Sequence, residues 1–184
     1  MAQQQNGYAV VPHATYDEFR TYCLTHGVDF DYVNKNQCVD TPKLLWYQYG
    51  LTLKTGNGYA YGIWTEEREY NAQSPFILIY NKEEIKRGDI LVFNHHGSFI
   101  SGHIVFADED YHGNDIKILG QNQGQGIAYG TPSNVIDGNF GWFLGAFRNT
   151  NWQSSPEPTP EPTPSRRSGN FPWVLYSKKL RQSR

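Results

Sequence analysis

The chain has 184 residues and a mass of 21.1 kDa, with 38% hydrophobic and 15% aromatic residues, enough for one well-buried domain and too little for a second. The net charge of −2 conceals an asymmetry: residues 165–184 carry six Lys or Arg and no acid, which leaves −8 on the rest of the chain. No apolar run approaches the length of a membrane span, and residues 1–6 have neither a basic start nor an apolar stretch, so the expectation is synthesis in a cytoplasm with no signal peptide and no transmembrane segment.

The first predicted element is a helix over about 15–26. Thr15 and Glu18 have capping-box spacing, Phe19, Cys23 and Leu24 share one face, and Gly27 is a plausible stop. Cys23 then reads as a small core residue, and two cysteines do not make a disulfide framework. A second helix should carry Leu44, Leu45, Trp46 and Tyr49 and end near Gly50. Proline is comfortable only in a helix's first turn, so Pro42 suggests Asp40 as the cap and a start at Thr41.

From residue 76 the pattern changes to strands, at about 76–80, 89–93, 103–107, 115–119 and 142–147, separated by turns rich in Gly, Asn and Asp. Helices first and a meander afterwards predict an α+β fold, with N-terminal helices packed on a mainly antiparallel sheet of about five to six strands. Alternating prolines from Pro156 to Pro164 favour a stiff polyproline spacer. The expected organisation is an extension over 1–14, one domain over 15–153, a Pro-rich linker over 154–165 and a basic, aromatic tail over 166–184.

One thiol stands in a setting that suggests chemistry. Cys38 follows Gln37 and is bracketed by Asp29, Asp31 and Asp40, with His103 and Asn122 downstream. A thiolate nucleophile needs a base, and the base needs an orienting group; Cys38, His103 and Asn122 supply those types in a workable order. A position near a helix amino terminus would help deprotonation. Each residue has a plainer alternative: an inert core thiol for Cys38, a turn residue for Asn122. The pair His95-His96 reads as a solvated turn. The carboxylates would blunt the thiol by raising its pKa, which points to a separate purpose such as a cation. Otherwise Asp29 and Asp31 are turn carboxylates and Asp40 a helix cap.

Taken together, Asp29-x-Asp31, Gln37-Cys38-x-Asp40, Gly56-Asn57-Gly58, Lys86-Arg87-Gly88-Asp89-Ile90, Gly102-His103-Ile104 and Gln121-Asn122 resemble the CHAP family, the cysteine- and histidine-dependent amidohydrolases/peptidases of phage-type peptidoglycan hydrolases. The resemblance covers about residues 15–150 and implies a papain-like core. It implies that Cys38 attacks an amide of peptidoglycan, that His103 is base and then acid, that Asn122 orients His103, and that Gln37 helps form an oxyanion hole with the Cys38 amide. Many relatives have a glutamate two places before the asparagine; here that position is Gly120.

The resemblance also implies calcium, structural or activating, at Asp29, Asp31 and Asp40 with the Val33 and Lys35 positions between them, and no organic cofactor. Val33 can offer only its carbonyl, and the Lys35 ammonium opposes a cation unless it points away. Hard Ca²⁺ suits six to eight oxygens from a tight loop. Trp64 and Tyr61, with Trp142, are the candidates for an aromatic substrate groove. The expected protein is a monomeric endolysin or virion-associated lysin acting on the bacterial cell wall, released by a holin or carried in a particle. Its basic tail would hold anionic wall polymers or a virion protein. Rival functions are a non-catalytic phage tail protein stabilised by calcium, and an intracellular cysteine protease or transamidase.

Overall fold

A computed structural model describes residues 4–5, 8–9, 11–33, 36–96, 100–113, 116–122, 131–135 and 142–152. The expected linker and tail, 154–184, and Lys35 of the expected cation loop lie outside the described residues.

Two short strands, β1 (Gln4–Gln5) and β2 (Tyr8–Ala9), pair antiparallel before the first helix. Helix α1 (Tyr16–Thr25) starts as its sequence predicts: the Thr15 hydroxyl accepts from the Glu18 amide at 3.2 Å, and Glu18 reaches back to the Ala14 amide at 2.9 Å. Tyr16, Phe19 and Cys23 form its buried face. Helix α2 (Asp40–Gln48) begins one residue earlier than expected, with Val39 in the cap position and no side-chain cap. Asp40 is therefore the first helical residue and not the cap, and Pro42 sits in the first turn, where its missing N–H costs nothing.

Two four-residue helices escape the sequence pattern, α3 (Gly62–Thr65) and α4 (Arg68–Asn71). They are too short to show a helical period, yet α3 buries Ile63 and Trp64. The strands follow: β3 (Phe76–Ile79), β4 (Ile90–Phe93), β5 (His103–Ala107), β6 (Ile116–Gly120), β7 (Thr131–Val135) and β8 (Phe143–Asn149). They form one six-stranded sheet in the order β3-β8-β4-β5-β6-β7, antiparallel at every step. β7 is the strand that the sequence hides, because it contains Pro132. It lies at the sheet edge, where a missing N–H is tolerated.

The sheet separates two apolar layers by strand alternation. Ile90, Val92, Ile104, Phe106, Leu119 and Phe147 face α1, α2 and α3, while Leu91, Phe93, Val105, Ile118 and Ala146 pack on the opposite face. On the helix side Trp46 lies flat on Phe76, with ring centroids 3.7 Å apart, and its indole N–H donates to the Asn71 carbonyl at 3.0 Å. The result is an α+β fold with its helices at the N-terminal end.

The Lys86–Asp89 turn is a structural brace. Asp89, 1% exposed, accepts the Lys86 amide at 2.8 Å and takes Arg148 through both guanidinium branches at 2.8 and 2.7 Å, tying the start of β4 to β8. Arg87 in the same turn pairs with Asp17 of α1 and lies over the Tyr16 ring. Trp152 closes the described chain by packing on Tyr16, Phe19 and Phe106.

Candidate active site

The candidate residues gather where α2 begins and where β4, β5, β6 and β8 share an end. Cys38 is half-buried, two residues before α2, and its sulfur takes the backbone amide of Ile104. The neighbouring residue, His103, opens β5 and has a buried Nε2. Gly102 makes this approach possible. Its φ is +65°, and a Cβ there would overlap the Phe93 carbonyl and stand 3.0 Å from Tyr61 Cβ.

Asn122 follows β6 with φ at +54°. The β5–β6 register pairs Phe106 with Leu119 and Ala107 with Ile118. Asn122 lies two residues beyond the end of β6, the strand that pairs with the one His103 opens. The hydrogen bond that Asn122 Nδ2 donates goes to Gln37 Oε1 at 3.4 Å.

Gln37 is held on every side. Its amide donates to Asp40 Oδ2 at 2.6 Å, its carbonyl accepts from Gln121 Nε2 at 3.1 Å, and its side chain accepts from Asn122. Gln121 is fully buried and also clamps Val28, accepting from its amide at 2.8 Å and donating to its carbonyl at 2.9 Å. Sequence reasoning gave Gln121 no role. Its only signal was its place beside Asn122. Nor did the sequence single out Lys43, which reaches from the first turn of α2 to Asp31 Oδ2 in the preceding loop at 2.5 Å.

The electrostatics match the acidity read from the sequence. Burial pushes the Cys38 thiol up to about 11; the Asp40 charge raises it further, against the Ile104 amide and Lys43, which lower it. Burial likewise pushes the Asp40 carboxyl up to about 7, with Asp31 and Asp29 adding to the rise. The Gln37 amide and Lys43 oppose it. Asp40 is 0% exposed and its Oδ1 has no hydrogen-bond partner among the described residues. Burial also raises the Asp31 carboxyl, but Lys43 and the Val33 amide more than offset this and hold it below the usual carboxylate range. Among the described residues, no three His, Cys, Asp or Glu side chains converge as a ready metal site.

The other thiol, Cys23, is 1% exposed in the core and pushed up to about 12 by burial. Both cysteines are free, as expected.

The expected aromatic groove divides. Tyr61 is half-buried beside Gly102, and Trp142 is 38% exposed just before β8. Trp64 is a correction: it is 5% exposed in the core, edge-on to Phe147 and Tyr80, with its ring against Gly145. A ring on a short helix that packs against the sheet belongs to the core and leaves little surface for a ligand.

No known protein-family pattern matches the chain, and no curated protein does. Solved structures do. The chain is similar to the crystal structure of the wild-type endolysin LysIME-EF1, at 20% identity and a TM-score of 0.56, over 77% of this chain and 67% of that one. It is also similar to the crystal structure of Ly7917, at 17% identity and a TM-score of 0.50, over 71% of this chain and 60% of that one. This chain thus spans about three fifths to two thirds of those proteins, and the likeness is one of fold. Among the described residues, no helix is long and apolar enough to cross a membrane.

Proposed function

We propose that this protein is a peptidoglycan hydrolase of the CHAP kind, cleaving an amide bond of the bacterial cell wall through a thioacyl-enzyme. The observation that carries the reading is the Cys38 sulfur on the Ile104 amide, which brings the one half-buried thiol to the strand start that bears His103. The endolysin fold supports the same reading.

In the proposed reaction His103 accepts the Cys38 proton as the sulfur attacks the amide carbonyl carbon. The oxyanion that forms is met by the Cys38 backbone N–H and the Gln37 side-chain amide. The intermediate collapses by breaking the C–N bond, and His103 returns its proton to the leaving amine. Water, deprotonated by His103, then hydrolyses the thioester and restores the thiol. Asn122 spends Nδ2 on Gln37, so its amide oxygen is the atom suited to accept from the imidazole N–H and hold its tautomer.

Calcium belongs to the same proposal. The buried Asp40 Oδ1 lacks a partner among the described residues, and the Asp31 and Asp29 charges add to the rise of the Asp40 carboxyl, a setting that a bound cation would relieve. Asp29, Asp31 and Asp40 would hold it, with carbonyl oxygens from the Val33 and Lys35 positions of the intervening loop as further ligands in the proposal. Bound there, it would neutralise the loop behind the nucleophile. Residues 166–184 are proposed to hold anionic wall polymers by charge.

Turbidity loss of Gram-positive cells tests the reading, with Cys38→Ala as control. Lysis by the wild type and none by the variant is expected. Lysis that survives the substitution would sink the mechanism, and mass spectrometry of the fragments would identify the amide cut.

A further inference from the structure

Two groups of rings lie at the sheet end where His103 opens β5. Tyr59 stacks on Tyr61 with centroids 5.7 Å apart and planes 18° apart, and Tyr61 meets His95 at 5.3 Å. The next residue, His96, stacks on Trp142 at 3.9 Å and 15°. The two consecutive histidines therefore carry two aromatic groups on adjacent backbone positions, Tyr59-Tyr61-His95 and His96-Trp142. The backbone fixes both groups to the sheet end. The Asn94 amide donates to the Trp142 carbonyl at 2.8 Å, and the Tyr61 amide donates to the Ser101 carbonyl at 3.3 Å, two residues before His103.

These rings are not a core. Tyr59 is 46% exposed and Trp142 38%, and both histidines are exposed. Single exposed aromatics need no explanation, but two groups of exposed and half-buried rings, each in mutual contact and carried on adjacent residues, mark a binding surface. Its chemistry narrows the ligand. None of the five side chains is an acid, a lysine or an arginine, so the surface has no fixed charge to draw a polyanion. Each ring offers an apolar face with a polar atom at its rim. That combination suits a pyranose, whose C–H face lies on a ring while its hydroxyl and acetamido groups reach the rim atoms. His96 covers one face of Trp142 and so stiffens the indole for such contact.

We infer that Tyr59, Tyr61, His95, His96 and Trp142 form a carbohydrate-binding ledge that takes a strand of β-1,4-linked N-acetylated amino sugars beside the scissile amide. This rests on the reading of the Cys38 site as a wall hydrolase, and it assigns His95 and His96 a part in substrate binding that their solvated-turn reading did not.

The test uses full-length protein carrying Cys38→Ala, titrated with soluble N-acetylglucosamine oligomers and followed by tryptophan fluorescence and NMR. Saturable binding is expected, weakened about three- to tenfold by Trp142→Ala and less by His96→Ala, in line with the worth of one aromatic contact. Tyr59→Ala, at a half-exposed ring, gives the same readout should Trp142→Ala fail to fold. A sugar-free stem peptide should not compete. No saturable binding, binding indifferent to the ring substitutions, or displacement by the stem peptide overturns the ledge. Binding needs no turnover, so failure of the ledge is read separately from failure of the lysis assay.

Discussion

Gln121 holds Gln37 in place: its buried Nε2 donates to the Gln37 carbonyl at 3.1 Å while the same side chain spans both backbone groups of Val28. One amide thus connects the end of β6 to both ends of the loop that delivers Cys38. Gln121→Ala would leave the Val28 amide and two carbonyls without their buried partner, at a cost of roughly 2–4 kcal/mol. Gln121→Glu should be worse, because an acid oxygen would face two carbonyls. Urea unfolding measures the first effect. On the proposed mechanism, lytic activity should fall further than stability alone explains, since the residue before Cys38 loses its support.

The Lys43–Asp31 pair bears on the calcium proposal. At 2.5 Å, with Lys43 20% and Asp31 35% exposed by side chain, an ammonium on α2 already supplies one positive charge to the acidic loop. Lys43→Met should cost about 1 kcal/mol or less, as partly exposed pairs do. The informative readout is the calcium dependence. Thermal unfolding with excess calcium and with chelator should differ more in Lys43→Met than in the wild type. Identical melting in both conditions for both proteins would remove calcium from the account.

Trp64 separates a core ring from a groove ring. A Cβ at Gly145 would overlap the Trp64 indole, which Phe147 and Tyr80 confine at 5.5 Å each. Gly145→Ala should therefore destabilise by about 1–3 kcal/mol through overpacking, and Trp64→Ala by about 3–5 kcal/mol through the cavity it leaves. Neither should alter the KM of the folded fraction. A raised KM for Trp64→Phe at unchanged melting temperature would return the residue to the groove.

What the sequence made legible was what repeats or caps. The Thr15–Glu18 capping box, the apolar run at the start of β4 and the Gly102-His103 turn each carry a local signal, and the helices-then-meander order followed from them. Hidden features depend on partners far along the chain. Gln121 acts on residues 93 and 84 positions away, which no window detects. Asp40 looked like a cap because it precedes Thr-Pro, but its carboxylate turns back to Gln37, and Val39 takes the cap position. Trp64 looked exposed because its four-residue helix has no period to reveal a buried face. The pairing of His95 and His96 with rings from two other segments is likewise visible only after folding.

The Cys38 thiol makes the pH prediction. Burial raises it first and the Asp40 charge adds, so in the resting protein it sits at about 11. At pH 7 the thiolate fraction is then on the order of one in ten thousand, against a few per cent for an ordinary thiol. The folded value lies above the unfolded one, so the protonated thiol's contribution to stability is complete below the ordinary thiol range and is lost as pH rises through about 11. Iodoacetamide should accordingly alkylate native Cys38 roughly a few hundredfold more slowly than the unfolded chain at neutral pH. The native rate should keep climbing about tenfold per pH unit after the unfolded rate has levelled off. Lys43 lowers the thiol and Asp40 raises it. Lys43→Met should therefore slow native alkylation at a fixed pH, and Asp40→Asn should speed it. On the proposed mechanism such a thiol reacts with substrate only when His103 takes its proton in the same encounter, so His103→Ala should abolish lysis yet leave the high-pH alkylation limb intact. A native profile that levels off at or below neutral pH would instead require a standing thiolate–imidazolium pair, and the concerted proton transfer would have to be abandoned.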